Sequence, residues 1–218
     1  MNPDAAPSWF ASIHHFGMRG EVGVSLFFVL SGALLSYPFW TSFIHGTSNP
    51  TIKNYSIARV ARIVPATWLN LILCTLIALY FYDIPVNFNM LIAGLLFINS
   101  YHYSTFFPAE LNGPLWSIGL EVSCYVILPF LLYPIIKKTG TFLKAFTTLV
   151  FVLIVLQVVV NPWVIETFMT SEDGKGWDKG LVGGAKAWLP YWSINSFFSQ
   201  FLVGSIAALV IARLRKNI

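Results

Sequence analysis

The stretch IVPATWLNLILCTLIALYFY, residues 63–82, contains no Asp, Glu, Lys or Arg. A helix needs about 20 apolar residues to cross the hydrocarbon core of a bilayer, and this stretch has that length. Residues 22–43, 145–165 and 187–212 are also uncharged, and residues 111–136 carry one charge, Glu121. The sequence therefore predicts an all-α, polytopic bundle of transmembrane helices.

A sixth run, residues 85–100, is short for a span, so the pattern predicts five to six spans. Clusters of Lys and Arg lie at 53–62, 137–144 and 213–216, and such clusters favour the cytoplasmic side. If all three are cytoplasmic, the run 85–100 is tilted, re-entrant or interfacial and does not cross. If it crosses, one cluster must lie outside.

The composition excludes several classes of protein. Of 218 residues, 56% are hydrophobic and 10% are charged, and the mean hydropathy is +0.70. A soluble domain carries about 25% charged residues, and a disordered chain has low hydrophobicity. The two cysteines lie inside apolar runs, which argues against a disulfide scaffold. The net charge of +4 fits cytoplasmic loops, so the bilayer, and not nucleic acid, is the expected partner.

The regions outside the spans give a domain organisation. Residues 1–19 show no signal peptide. Whether or not the run 85–100 crosses, the placement of the basic clusters makes the first span run from outside to inside, so residues 1–19 are expected to be an extracytoplasmic N-terminal segment. We expect a preceding helix to be absent, so that the chain is partial. Residues 167–186 mix both charges with several glycines and predict a polar extramembrane loop.

Glu121 is the only acidic or basic side chain within the five confident spans. Ionisable groups cost about 2.5–3.5 kcal/mol at a helix centre on insertion scales, and they mark functional sites by default. We expect Glu121 to face the bundle interior. Ser117 and Tyr125 stand four residues to either side, within hydrogen-bonding reach on one helix face. The alternative is a structural polar contact between helices.

A second pattern is ARVARIVP, residues 58–65, which puts Arg59 and Arg62 on one helix face. With Pro65 in the first turn of a span, two guanidiniums near free backbone N–H groups predict a phosphate site. The alternative is ordinary cytoplasmic anchoring. Ser31 and Gly32 permit the close approach of a ligand or, alternatively, of another helix.

Two histidines, His14 and His15, precede the first span. They predict a general base near an extracytoplasmic opening, or alternatively a plain loop. Asn112 precedes a Gly-Pro break where polar groups can line a cavity. No metal-ligand spacing occurs, so we expect neither a metal nor a resident cofactor.

Four stretches in this order resemble the membrane-bound acyltransferase 3 family. They are GEVGVSLFFVLSG (20–32), RVARIVP (59–65), NGPLWSIGLEVSCYVILP (112–129) and FSQFLVGSIAALVIARLR (198–215). The resemblance implies a partial acyltransferase 3-like transmembrane domain over residues 20–215. It also implies transfer of an acyl group, commonly acetyl, from acyl-CoA to a hydroxyl of an extracytoplasmic carbohydrate or similar acceptor. The location it implies is the bacterial inner membrane.

The resemblance also implies roles for residues. Arg59 and Arg62 match the family's arginines for acyl-CoA, and Glu121 matches its buried glutamate. We expect a shared cavity lined by Ser31, Gly32, Asn112, Trp116 and Tyr125. The family's presumed base is a histidine on an earlier helix, whereas His14 and His15 fall in the segment that follows that helix. The base is therefore His14, His15 or a histidine on a preceding helix.

One rival interpretation stays open at this point. In a transporter or permease subunit, Glu121 would be a relay and the arginines would be topology anchors. Paired broken helices would favour that class, and the sequence shows no inverted repeat.

Overall fold

The computed structural model describes residues 20–109, 111–169 and 189–216, and within these ranges the chain forms helices and turns without a strand. Five helices are long and apolar enough to cross a membrane, which confirms the predicted all-α, multi-pass bundle. The helices are α1 (Gly20–His45), α2 (Ile52–Tyr82), α3 (Phe88–Leu95), α4 (Trp116–Thr139), α5 (Phe142–Val155), α6 (Asn161–Met169) and α7 (Ile194–Arg215).

The single α-helix within the doubtful run 85–100 is α3, which has eight residues. At 1.5 Å per residue α3 is about 12 Å long, far short of a bilayer's hydrocarbon core. The Asn87 side chain caps its start by accepting from the backbone N–H groups of Asn89 and Met90 at 3.1 and 3.3 Å. Short 3₁₀ turns follow at Asn99–Tyr101, Tyr103–Thr105 and Gly113–Leu115. The run therefore does not cross by itself, and the part of the chain that the structure describes has five helices that can span a membrane.

Helix α2 begins at Ile52, well before the uncharged run that starts at residue 63. Thr51 caps it, with its hydroxyl accepting from the Asn54 backbone N–H at 3.4 Å. The expectation that Pro65 stands in the first turn is wrong, because Pro65 lies inside the helix. The arginines before it consequently lie on the body of α2, away from the free N–H groups of its first turn.

The closest helix pair is α1 and α7, which run parallel and form most of the core. A Cβ on Gly32 would lie 2.0 Å from the Phe201 carbonyl oxygen, and one on Gly204 would lie 1.9 Å from the Val29 carbonyl oxygen. Only glycine permits backbones to approach so closely. Trp40 Nε1 donates to Ser205 Oγ at 3.0 Å, which fixes the register inside the contact.

The fourth spanning segment bends through a π-helical turn, Leu156–Val160, between α5 and α6. Pro162 follows this turn, and a proline ring clashes with the carbonyl four residues earlier in a regular helix. The wider π turn relieves that clash, so the segment continues across Pro162.

Contacts at one end of the bundle bring the basic clusters to the same side. The Lys216 ammonium donates to the Ile44 carbonyl at 2.8 Å, and the Tyr133 hydroxyl donates to the Pro50 carbonyl. The end of α7, the α1–α2 turn and the end of α4 therefore share one face. Five crossings with every basic cluster on this face satisfy the positive-inside bias.

Candidate functional site between α2 and α4

Glu121 is buried on α4, with 9% of its surface exposed. The Tyr125 hydroxyl donates a hydrogen bond to its carboxylate, as the four-residue spacing predicts. The expectation for Ser117 is wrong, because its hydroxyl donates to the Pro114 carbonyl at 3.2 Å. A serine near the start of a helix readily bonds back to a carbonyl one turn earlier.

Two arginines of α2, the half-buried Arg59 and the exposed Arg62, lie near this carboxylate. Both guanidinium groups act electrostatically on the Glu121 carboxyl group. Arg59 is half-buried, and its Nε atom is buried without a hydrogen-bond partner among the described residues. A buried donor without a partner is costly, by about 1–3 kcal/mol, which makes Arg59 ready to bind an incoming acceptor.

A tyrosine and a proline set the spacing of α2 and α4. Pro129 has no N–H, so the Tyr125 carbonyl one turn earlier lacks its partner within the helix. The Tyr55 hydroxyl on α2 supplies the missing donor at 3.1 Å. Tyr55 was not among the predicted site residues, although a proline four residues after the site tyrosine signals a free carbonyl that some side chain must satisfy.

A cavity of about 330 Å³ lies between the two helices. Arg59, Tyr55 and Tyr125 are among its polar lining residues. Apolar side chains form the rest of the wall, including Ile63, Val122 and Phe130. The arrangement combines an arginine whose Nε has no hydrogen-bond partner among the described residues with apolar surface, close to a buried carboxylate, which suits a ligand with an anionic part and an uncharged arm.

The predicted cavity residues separate into two groups. Tyr125 lines the cavity, and Ser31 of α1 lies beside the Tyr125 hydroxyl. Gly32 instead packs on α7. The Asn112 amide donates to Asn70 Oδ1 at 3.0 Å, next to α3. Trp116 is buried in a stack of rings, with its centroid 4.7 Å from that of Trp192.

Some predicted features lie outside the described residues. These are His14 and His15, the segment 1–19 and, beyond Met169, the predicted loop 167–186. Within the described ranges, no three His, Cys, Asp or Glu side chains lie close enough to hold a metal ion.

The chain is similar to known acyltransferases. The family profile described as an acyltransferase domain, acyltransferase 3, matches residues 2–218. Peptidoglycan O-acetyltransferase OatA of Listeria monocytogenes is 28% identical over 129 residues, which cover 54% of this chain and 20% of that protein. The chain thus spans about a fifth of the length of this relative. No solved structure matches the chain.

These matches favour acyl transfer over the transporter interpretation, which the isolated Glu121 alone left open. The predicted resemblance is confirmed over nearly the whole sequence. With its five membrane-spanning helices, the chain is an integral, multi-pass membrane protein that belongs to the acyltransferase 3 family.

Proposed function

We propose that this chain is the membrane domain, or part of it, of an enzyme that transfers an acyl group, commonly acetyl, from acyl-CoA to a hydroxyl of an extracytoplasmic carbohydrate or similar acceptor. The observation that carries the proposal is that Arg59 lines the α2–α4 cavity and, together with Arg62, acts electrostatically on the buried Glu121 carboxyl group. The name of the Listeria relative describes O-acetylation of peptidoglycan, which supports acetyl as the group and a carbohydrate as the acceptor. We place the enzyme in the bacterial plasma membrane.

In this proposal the arginines bind the donor. Arginine is suited to phosphate oxygens because its planar guanidinium offers paired N–H groups. The Arg59 Nε atom without a partner would gain an acceptor, and the apolar wall would contact the uncharged pantetheine arm. Tyr125 and Ser31 would lie next to the thioester, where Tyr125 already holds the Glu121 carboxylate in one orientation.

The reaction then proceeds by direct attack. The acceptor oxygen forms a bond to the thioester carbonyl carbon, and the carbon–sulfur bond breaks. The hydroxyl proton passes to a general base and then to the departing CoA thiolate. We propose His14 or His15, or a histidine on a preceding helix, as the base, and Glu121 as the next residue to test. No metal takes part in this proposal.

The binding step provides the experiment. The Arg59→Ala/Arg62→Ala double variant should bind CoA more weakly, by about 1.5–3 kcal/mol for each charge-assisted hydrogen bond lost. That loss corresponds to roughly ten- to hundredfold in Kd for each bond. Isothermal titration of CoA into the purified chain in detergent measures it.

Arg213→Ala is the matched control, because Arg213 is exposed at the end of α7 and lies 5.9 Å over the Phe142 ring, away from the cavity. This variant should keep the affinity of the wild type. Normal CoA binding by the double variant would show that the arginines are topology anchors and would contradict the proposal.

A further inference from the structure

A second cavity lies at the cytoplasmic end of α4, outside the site described above. Its volume is about 590 Å³, and its lining includes Lys137, Lys138, Asn49 and Tyr133. Both lysines are exposed in the last turn of the helix, and among the described residues no acidic side chain lines the cavity. Its electrostatics therefore favour an anion.

Asn49 requires that a ligand in this cavity also carry a hydrogen-bond donor. Its Oδ1 atom is buried and has no hydrogen-bond partner among the described residues. This oxygen accepts hydrogen bonds and cannot donate to a phosphate. A ligand that satisfies both Asn49 and the lysines carries a phosphate together with an N–H or O–H donor, as a nucleotide does through its base and ribose.

The second cavity lies on the path to the first. The hydrogen bond from Tyr133 to the Pro50 carbonyl joins the end of α4 to the start of α2, and both helices continue from there to the α2–α4 cavity. Along α4, Lys137 and Glu121 are separated by about 24 Å at the rise of an α-helix. An elongated ligand with a phosphorylated nucleotide at one end can occupy both cavities.

We propose that the Lys137/Lys138 cavity binds the nucleotide end of the acyl donor. The lysines contact the 3′-phosphate, Asn49 Oδ1 accepts a hydrogen bond from the nucleoside, and the diphosphate and pantetheine arm extend toward Arg59. The inference rests on the proposed function, since it assigns a second part of the same donor. It divides the phosphates between two sites, the lysines at the end of α4 and the arginines on the body of α2.

The experiment compares CoA with dephospho-CoA, which lacks the 3′-phosphate. The wild-type chain in detergent should bind CoA at least about fivefold more tightly than dephospho-CoA. The Lys137→Ala/Lys138→Ala variant should lose this preference and leave the Kd for dephospho-CoA unchanged. The Arg59→Ala/Arg62→Ala variant should weaken binding of both ligands. Lys144→Ala, which changes an exposed lysine at the same end but outside the cavity, is the matched control.

The outcomes separate the two proposals. Equal affinity of the wild type for CoA and dephospho-CoA overturns the inference and leaves the proposed function standing, whatever the stability of the variants. Failure of the wild type to bind either ligand contradicts the proposed function and, with it, the inference. If phosphatidylglycerol raises the Tm of the wild type but not of the lysine variant, while CoA raises neither, the cavity binds a lipid headgroup and the inference is wrong.

Discussion

At the scale of single residues, a missing N–H group couples two helices. Pro129 leaves the Tyr125 carbonyl without its intrahelical donor, and Tyr55 supplies a hydroxyl at 3.1 Å from the neighbouring helix. The same Tyr125 donates through its side chain to Glu121. The backbone and side chain of one residue thus tie α2 to the buried carboxylate.

Removing the Tyr55 hydroxyl tests this coupling. Tyr55→Phe should lower the free energy of unfolding by about 1–3 kcal/mol, because the Tyr125 carbonyl loses the hydroxyl donor that Tyr55 supplies. In a Pro129→Ala background residue 129 regains an N–H, so the same change should cost clearly less. Denaturation in detergent of the wild type, both single variants and the double variant measures the difference.

Tyr80→Phe serves as the control, since Tyr80 is 74% exposed on the same helix, and this variant should unfold like the wild type. An equal cost of Tyr55→Phe in both backgrounds would show that the tyrosine acts through packing and not through the carbonyl.

At the scale of helices, the contact between α1 and α7 depends on two glycines. A methyl group on Gly204 would overlap the Val29 carbonyl oxygen and lie 2.7 Å from the Ala33 nitrogen. Gly204→Ala should therefore force the helices apart and destabilise the protein by about 1–3 kcal/mol. Thermal unfolding in detergent measures this as a lower Tm.

Gly23→Ala on α1 is the matched control, because nothing lies within 4 Å of the position where its Cβ would be. Alanine is favoured over glycine in a helix by up to about 1 kcal/mol, so this variant should be as stable as the wild type or slightly more stable. If both variants lowered the Tm equally, close packing at Gly204 would not be the cause.

The sequence predicts the helices better than their ends or their contacts. An uncharged or nearly uncharged run of about 20 residues matches the thickness of a bilayer's hydrocarbon core, and such runs identify all five helices that the described residues offer as spans. They miss the first turns of α2, since Lys53, Arg59 and Arg62 interrupt the apolar run without interrupting the helix. The π turn depends on backbone geometry around Pro162 and leaves no hydropathy signal.

In the candidate site, contacts within one helix could be predicted from the sequence and contacts between helices could not. The Glu121–Tyr125 hydrogen bond follows from spacing within one helix and could be predicted. The approach of Arg59 and Arg62 to Glu121, and the contribution of Tyr55, depend on how α2 packs against α4, which no local pattern specifies.

At the scale of the whole molecule, five crossings place the α1–α2 and α4–α5 connections on one side and the α2–α3 connection on the other. Single cysteines at Ser48 and Thr141 should react with a membrane-impermeant maleimide only from the cytoplasmic side, and one at Pro85 only from the opposite side. The background is Cys74→Ser with Cys124→Ala, and labelling is compared between intact cells and inverted vesicles. Labelling of Ser48→Cys and Thr141→Cys from opposite sides would require an odd number of crossings between them and would contradict the five-span topology, which has two.

The α1–α7 contact has a consequence in time. Trp40 and its partner Ser205 are 165 residues apart. At a synthesis rate of about 5–20 residues per second, roughly ten to thirty seconds separate their addition to the chain. During this interval α7 has not been made, so the α1 face that contains Gly32 is in the membrane without α7 against it. The indole N–H of Trp40 then lacks its acceptor, Ser205. The nascent bundle is therefore a distinct species with an open side that any helix rich in small residues can fill, and the rate at which the ribosome delivers α7 sets how long that competition lasts.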